Sequence, residues 1–221
     1  MFLGKPYVGG TLEKEPEELI VNFSELDCTT FVESVLALSQ KNSSFEDYMQ
    51  NLRLIRYRNG KVLYTERLHY ISDWIYENQK RGILKDVTAE MPSSKALALS
   101  LSFMSTHPNA YPALKGYNDR ISKIKEVETA INRRNIYSYL PKENMQQGAS
   151  SIKNGDIIVF VTSIKGLDVT HMGIAYWRNP TDLTFIHASS LAKKVIINQN
   201  SLQEYLKAQK SCKGLWVLRT F

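Results

Sequence analysis

The chain has 221 residues and a mass of 25.3 kDa, with 43% hydrophobic and 23% charged residues. This length and composition suit one large domain with a substantial core, and they exclude collagen-like, coiled-coil and predominantly disordered classes. Two cysteines permit at most one disulfide and cannot supply a structural zinc site of several thiolates. No segment approaches the roughly 18 apolar residues that a membrane span needs.

The charge balance of 28 Lys and Arg against 22 Asp and Glu gives a net charge of +6. Such a charge is compatible with nucleic acid, an anionic surface or an acidic small substrate. The basic residues are scattered, however, and their densest groups lack the interleaved aromatic residues of single-strand binders. We therefore expect solvated basic faces or a negatively charged substrate, and no nucleic-acid partner.

The first half of the chain is predicted to be mainly helical. Ser24 and Asp27 form a capping-box pattern, and the apolar residues that follow keep helical spacing to about Ser39. A second helix is expected after Ser44, which is followed by an aspartate three positions later. The remaining predicted segments are a hairpin of 52–57 and 61–65 around Asn59-Gly60, a helix over 66–79, a loop over 104–117 and a helix over 118–134.

After Gly148 the pattern changes to short runs rich in β-branched and aromatic residues. These runs predict strands over 156–162, 169–177, 183–189, 194–197 and 214–219, with a capped helix from Ser201 before the last strand. Because helices come first and neighbouring strands follow, we expect an α+β fold with an antiparallel sheet.

Cys28 is the first candidate catalytic residue. It falls in the first turn of the helix predicted after Ser24, where the helix dipole and free N–H groups stabilise an anion. We expect this position to lower the pKa of the thiol and to supply donors for an oxyanion. Two structural alternatives are a buried cysteine, against which the polar neighbours argue, and a disulfide with Cys212.

Two of the four histidines, His171 and His187, fall on consecutive predicted strands. If the connecting turn centres on Asn179, they lie directly opposite each other, with Cβ atoms roughly 4.5–5.5 Å apart. The small residues Gly173 and Ala175 would leave room for the cysteine helix to pack closely. Together these groups would form a nucleophile, a base and a group that orients the base.

A metal site is the competing interpretation, with Cys28, His171 and His187 as ligands. We favour the nucleophile because the sequence suggests no carboxylate or fourth ligand at a useful spacing. The other two histidines, His69 on a predicted helix and His107 in a loop, receive no role.

Four segments carry a resemblance to a known family: 26–32 (LDCTTFV), 156–158 (DII), 170–175 (THMGIA) and 185–190 (FIHASS). In this order they resemble the NlpC-type branch of papain-like cell-wall cysteine hydrolases, where an Asp-Cys pair opens a helix and the histidines lie on consecutive strands. The long stretch between cysteine and histidine, with its segment 67–74 (RLHYISDW), resembles the amidase-like subgroup of Gram-negative bacteria, described as N-acetylmuramoyl-L-alanine amidases.

This resemblance implies a papain-like α+β fold with an N-terminal cysteine helix and a C-terminal antiparallel sheet carrying the histidines. It implies that Cys28 is the nucleophile, His171 the base and His187 the polar third member. Tyr7, in a segment that resembles the one lining the family's active site, is a candidate for oxyanion support. We expect one domain over 1–221, with a mixed insertion over about 41–150 that roofs the cleft.

The candidate substrate-binding residues come from three parts of the chain. Two of them flank the thiol. Four lie in the insertion, where they offer a cation, a hydrogen-bond acceptor and two aromatic surfaces, and two weaker candidates follow the second histidine. These residues are Asp27 and Thr29, then Arg67, Tyr70, Asp73 and Trp74, then Ser189 and Lys194.

The predicted function is hydrolysis of the amide between N-acetylmuramic acid and L-Ala in peptidoglycan fragments, without a cofactor or metal. The alternatives are a γ-D-glutamyl–diamino acid endopeptidase of the same family and a catalytically inactive binder of wall fragments. We expect a monomer without a membrane span. The first residues lack the features of a signal peptide, and we expect a periplasmic or exported protein whose leader has been removed.

Overall fold

Eight strands form one antiparallel sheet in the computed structural model, which describes residues 1–221. The strand order is β2-β3-β8-β4-β5-β6-β7, and β1 also pairs with β8. The strands are β1 (Leu84–Asp86), β2 (Lys95–Leu97), β3 (Tyr137–Pro141), β4 (Ile157–Thr162), β5 (Val169–Asn179), β6 (Asp182–Ser189), β7 (Lys194–Ile197) and β8 (Cys212–Thr220).

Seven α-helices accompany the sheet, so the predicted α+β class is confirmed. They are α1 (Cys28–Ser39), α2 (Phe45–Arg56), α3 (Ile71–Lys80), α4 (Phe103–Thr106), α5 (Asn118–Asn132), α6 (Met145–Gly148) and α7 (Leu202–Ala208). No helix is both long enough and apolar enough to cross a membrane.

The sheet separates two hydrophobic cores, because successive residues of a strand point to opposite faces. Every residue of β4 is buried: Val159 faces the larger core, with α1 and the helices of the first half, and Phe160 faces the smaller one, with α7. Met172 of β5 and Ala188 of β6 lie on the α1 face. The helix that carries the cysteine is therefore held against the middle of the sheet.

Helix α1 begins later than the capping-box pattern predicts. Its N-cap is Asp27, whose carboxylate accepts from the backbone N–H of Thr30 at 2.8 Å, while the Thr30 hydroxyl accepts from the N–H of Asp27. Ser24 cannot cap the helix because Leu26 pairs as an extended residue with the N-terminal segment, and its N–H donates to Pro6 at 3.1 Å. Cys28 is consequently the first helical residue.

The predicted hairpin around Asn59-Gly60 is wrong, although the turn itself is present. Asn59 and Gly60 have φ angles of 52° and 65°, as a tight turn requires. The residues before the turn belong to α2, whose predicted capping box at Ser44 and Asp47 is confirmed. The turn thus follows a helix end and does not join two strands.

Other boundaries also differ from the prediction. The helix expected over 66–79 begins only at Ile71, since Tyr64–Glu66 form a short 3-10 turn and Arg67 is extended. The loop expected over 104–117 contains most of α4 and a further 3-10 turn. The C-terminal strands and the capped helix from Ser201 are confirmed, with ends shifted by up to two residues.

The predicted register between β5 and β6 is wrong by two residues. The turn lies at Pro180 and Thr181, because Asn179 pairs with Asp182 and a bulge precedes it. Ile174 therefore pairs with Ile186, and His187 comes opposite Gly173 rather than His171. The two histidines are diagonal neighbours on one face of the sheet.

Candidate active site

A cavity of about 230 Å³ lies between the start of α1 and the start of β5. Cys28 and Thr29 form one wall, and three consecutive residues of β5, Thr170, His171 and Met172, form another. Since consecutive strand residues point to opposite faces, the cavity lies at the end of the strand rather than over one face. The structure therefore brings the predicted nucleophile and the predicted base to one cavity.

The expectation that Gly173 and Ala175 make room for the cysteine helix is wrong. These residues face the smaller core, where Ala175 packs, whereas α1 packs on the opposite face. Gly173 has a different role. A Cβ there would lie 2.7 Å from the carbonyl oxygen of Ile186 and 3.1 Å from the Cβ of His187, so only glycine lets β6 approach this closely.

That close approach joins the two histidines. Nε2 of His171 lies 2.6 Å from Nδ1 of His187, and the two rings are nearly perpendicular, at 82°. Phe160, Phe185 and Tyr205 surround the pair, with ring centroids 4.4–6.4 Å from one or other imidazole. Because Nε2 of His171 is taken up by His187, its Nδ1 is the nitrogen left to act on another group.

The thiol and both imidazoles are neutral near pH 7. Burial, reinforced by the Asp27 carboxylate, raises the pKa of Cys28 to about 11, although the Thr29 hydroxyl and the N–H groups of Met172 and of Cys28 itself oppose the shift. Burial and the neighbouring His187 lower the pKa of His171 to about 3. The expected lowering of the Cys28 pKa is thus wrong, because burial and a carboxylate outweigh the helix N-terminus.

Two predicted site residues, Tyr7 and Asp27, lie next to the start of α1, although neither lines the cavity. Tyr7 is tied to the strand-like segment before α1 by pairing with Leu26. Burial raises the pKa of the Tyr7 phenol, and negative charge on Cys28 or Asp27 raises it further. Asp27 is engaged as the N-cap of α1. One of its carboxylate oxygens, Oδ1, is occupied by Thr30.

Three of the four insertion residues do not reach the cavity. Arg67 is held by Glu17 in a two-point contact of 2.9 and 2.6 Å. Asp73 is 1% exposed and forms ion pairs with Arg58 and Arg134, both at 2.6 Å. Trp74 is 0% exposed and belongs to the larger core. These residues stabilise the fold, and the expectation that they contact a ligand is wrong.

Tyr70, the fourth insertion residue, does line the cavity. Its hydroxyl donates to Glu128 at 2.7 Å and accepts from the N–H of Met104 at 3.0 Å, which leaves only the ring to face a ligand. Tyr111 and Met104 add further apolar surface to the same wall. Part of the segment 41–150 therefore forms one side of the cavity.

A second, more polar cavity of about 650 Å³ lies on the other side of the histidine pair. Both histidines line it, together with the candidates Ser189 and Lys194. Ser189 is buried, and its hydroxyl accepts from the N–H of Ala192 at 3.1 Å. Lys194 is exposed and has no ion-pair partner.

Sequence reasoning missed two polar residues of the first cavity, His69 and Asp168. The His69 Nε2 lies 2.8 Å from the carbonyl oxygen of Tyr64, so this nitrogen carries the proton and Nδ1 is an acceptor without a protein donor. Burial lowers the pKa of His69 to about 3, which keeps the ring neutral. The scarcity of histidines, four in the chain, is a signal that could have drawn attention to His69. No sequence pattern marked Asp168, whose carboxylate accepts from the N–H groups of Ser72 and Val169.

The sequence left open a disulfide between Cys28 and Cys212 and a metal site at Cys28, His171 and His187. Both cysteines are free, and Cys212 is 3% exposed, with its thiol donating to the carbonyl of Gly214 at 3.3 Å. No three His, Cys, Asp or Glu side chains are grouped so that they could hold a metal ion. The facing nitrogens of His171 and His187 are instead bonded to each other.

Residues 1–215 match the family described as N-acetylmuramoyl-L-alanine amidase-like. The structure is similar to an N-acetylmuramoyl-L-alanine amidase from Bacteroides uniformis ATCC 8492, with 42% identity, a TM-score of 0.91, and coverage of 99% of this chain and 95% of the other. The structure is also similar to that of a Bacteroides fragilis protein provisionally named a xylanase, with 43% identity and a TM-score of 0.91. The match covers 99% of this chain and 97% of the other.

A more distant structure, from Legionella pneumophila str. Philadelphia 1 and of the DUF1460 family, gives 27% identity and a TM-score of 0.75. It covers 100% of this chain and 85% of the other. No curated protein matches the chain.

Proposed function

Because the chain belongs to the N-acetylmuramoyl-L-alanine amidase-like family, we propose that it is a cysteine amidase acting on peptidoglycan fragments. The bond cleaved is the amide between the lactyl group of N-acetylmuramic acid and L-Ala. The observation that carries this proposal is the shared cavity of Cys28 and His171, with His171 bonded to His187 at 2.6 Å. A nucleophile, a base and an orienting group are the parts that covalent amide hydrolysis requires.

In the proposed mechanism, Nδ1 of His171 takes the proton from Cys28 as the thiolate attacks the amide carbonyl. The tetrahedral oxyanion receives hydrogen bonds from N–H groups at the start of α1, with Tyr7 as a further donor. His171 then gives its proton to the leaving amine of L-Ala. Water, activated by the same imidazole, hydrolyses the resulting thioester between Cys28 and the lactyl group.

The neutral resting state fits a mechanism in which substrate triggers proton transfer. A thiol with a pKa of about 11 and an imidazole with a pKa of about 3 do not form an ion pair by themselves. When an amide carbonyl reaches the thiol, however, charge passes from sulfur to the oxyanion and is stabilised there. Proton transfer and attack are therefore proposed to occur together.

The cavity walls suggest how the substrate is held. Tyr70, Tyr111 and Met104 form an apolar wall suited to a sugar ring or a methyl group, and we propose that the insertion over 41–150 acts as a roof. Nδ1 of His69 offers an acceptor to an N–H or hydroxyl of the substrate. The net charge of +6 favours a fragment that carries free carboxylates.

A papain-like arrangement of the NlpC type is part of the same proposal. Its support is the order of parts: cysteine at the start of α1, then histidines on the neighbouring strands β5 and β6. A wall-degrading role is compatible with an extracytoplasmic location, which we propose for this protein.

Three other functions would differ from the amidase in the bond cleaved, in turnover or in the residues of the site. An endopeptidase would cut between γ-D-Glu and the diamino acid, and an inactive binder would keep the cavity without turnover. A xylanase would need two carboxyl groups flanking the bond. The first cavity contains a single carboxylate, Asp168, which two backbone N–H groups already occupy, and the second contains none.

The test is product analysis on a soluble disaccharide-peptide by mass spectrometry. The amidase yields the intact disaccharide with a free lactyl carboxylate, together with a peptide that begins with L-Ala. Cys28→Ala should abolish both products, whereas Cys212→Ser should not change them. Release of the diamino acid with L-Ala-γ-D-Glu left on the sugar would favour the endopeptidase, and no product at all would favour the binder.

A further inference from the structure

One nitrogen of the histidine pair has no hydrogen-bond partner. His187 is 3% exposed, its Nδ1 faces His171, and its Nε2 is buried without a donor or acceptor of hydrogen-bond geometry. A buried polar atom left in this state costs free energy, because its hydration is lost and no hydrogen bond replaces it. Such an atom in a native site calls for a partner.

The proton on this nitrogen decides what His171 can do. The contact between His171 Nε2 and His187 Nδ1 holds a single proton, which belongs to one of the two rings. If it is on His171, then Nδ1 of His171 is a free base, and His187 must carry its own proton on Nε2. If it is on His187, then His171 carries its proton on Nδ1 and cannot accept one from Cys28.

Asn198 is the side chain placed to select between these tautomers. It follows β7 directly and lines the second cavity together with His171 and His187. Its amide nitrogen donates to the carbonyl of Asn200 at 2.9 Å, which turns the amide oxygen away from that contact and leaves it free to accept. Burial lowers the pKa of His187, and the Asn198 side chain raises it.

Three hydrogen bonds hold the backbone of Asn198 in place. Its N–H donates to the carbonyl of Phe185 at 2.8 Å, and its carbonyl accepts from Thr184 at 2.9 Å and from Arg178 at 3.2 Å. Two of these partners belong to β6, the strand that carries His187. The amide is thus fixed relative to the imidazole, as expected of a group that orients another side chain.

We propose that Asn198 is a positioning residue whose amide oxygen accepts the Nε2 proton of His187, so that His171 keeps its free nitrogen toward Cys28. The proposal rests on the cysteine amidase function above. The chain of contacts then runs from the Asn200 carbonyl through Asn198, His187 and His171 to the thiol. Sequence patterns did not mark Asn198, because its role follows from the pairing of β6 with β7.

The first test is a nuclear magnetic resonance measurement on the full chain labelled with ¹⁵N-histidine. Long-range ¹H–¹⁵N correlations report which nitrogen of each neutral ring is protonated, and His171→Gln and His187→Gln spectra assign the signals. We expect Nε2–H on both rings of the wild type at pH 7. Asn198→Leu should move the proton of both rings to Nδ1, whereas Asn198→Asp, which keeps an acceptor, should retain Nε2–H.

Asn132→Leu is the matched structural control. The Asn132 side chain also bridges backbone groups, with contacts of 2.7 and 3.0 Å to the N–H and carbonyl of Leu101, but it lies outside both cavities. This variant should lose stability and leave the histidine tautomers unchanged. If Asn198→Leu does not fold, Asn198→Ala also removes the acceptor and provides the same comparison with a smaller side chain.

Kinetics supply the second readout. Asn198→Leu should lower kcat by about 10–100-fold with little change in KM, and Asn198→Asp should restore most of the loss. Unchanged Nε2–H tautomers in Asn198→Leu, or Nδ1–H tautomers in the wild type, would overturn the proposal. The tautomers are measured without substrate, so a failure of the proposed amidase function would appear separately, as absence of turnover in the wild type.

Discussion

His171 and His187 are bonded through nitrogens 2.6 Å apart, although the strand register makes them diagonal neighbours and not an opposed pair. Diagonal neighbours in a sheet are ordinarily roughly 7–8 Å apart at the backbone, a distance that aromatic and long side chains can bridge. The residue opposite His187 is Gly173, and its missing side chain is what lets β6 and the imidazole come close. The geometry of the candidate base thus depends on a glycine two positions away.

Gly173→Ala should therefore impair the site without touching a reacting group. The new Cβ would meet Ile186 and His187 at 2.7 and 3.1 Å, so β6 must shift and separate the imidazoles. We expect a loss of about 1–3 kcal/mol in the free energy of unfolding and at least a tenfold lower kcat. Gly9→Ala is the control, because nothing lies within 4 Å of its Cβ. Equal activity of the two variants would contradict this role.

Alkylation should distinguish the two thiols. Cys28 lines a cavity, whereas Cys212 is 3% exposed and bonded to Gly214, so iodoacetamide should modify Cys28 far faster. Because the pKa of Cys28 is about 11, the rate should continue to rise from pH 7 to pH 10. Peptide mapping by mass spectrometry measures both rates in one sample. A plateau near pH 7 would instead indicate a preformed thiolate–imidazolium pair.

Substitutions of the histidines should separate base from orienting group. His171→Ala removes the base and should lower kcat by about as much as Cys28→Ala, by at least roughly 100-fold, because the two residues act as a unit. His187→Asn keeps an acceptor for the His171 proton and should lose less activity than His187→Ala. Steady-state kinetics on a muropeptide provide the comparison. Full activity of His171→Ala, or equal losses in both His187 variants, would reject these roles.

Stability should fall in mild acid because His187 is buried as the neutral ring. Burial lowers its pKa from 6.5 to about 4, so between these values the unfolded chain binds a proton that the folded chain does not. Stability is complete above pH 6.5 and decreases toward pH 4, with a slope from this residue of up to about 1.4 kcal/mol per pH unit. Urea unfolding at pH 7, 6 and 5 measures the slope. Since His69 and His171 are also buried with pKa values of about 3, they add to the measured slope in the same pH range. His187→Asn should reduce the slope by the share of this one residue, and an unchanged slope would contradict the assignment.

The sequence predicted well those features that depend on local pattern. The strands β4 to β8 and the capping boxes at Ser44 and Ser201 follow from residue alternation and from cap chemistry, which act over a few residues. The short strands β1 to β3 were not predicted, because three to five residues carry little periodicity and their pairing with distant segments defines them.

Long-range features account for the errors at the site. Ser24 fits a helix cap as well as Asp27 does, and only the pairing of Leu26 with the N-terminal segment excludes it. Arg67, Asp73 and Trp74 have chemistry suited to a ligand, yet distant partners such as Glu17 and Arg134 bind the two charged ones and core packing buries the third. Which charges are already paired cannot be read from spacing alone.

The most direct test of the proposed chemistry is the mass of the covalent intermediate on Cys28. The wild-type enzyme is mixed with a disaccharide-peptide, quenched in acid within milliseconds and digested, and the Cys28 peptide is weighed. We predict a thioester adduct with the mass of the disaccharide lactyl group, absent in Cys28→Ser, while the free peptide begins with L-Ala. Product formation with an unmodified Cys28 peptide, or an adduct that includes L-Ala-γ-D-Glu, would contradict attack by this thiol on the lactyl amide.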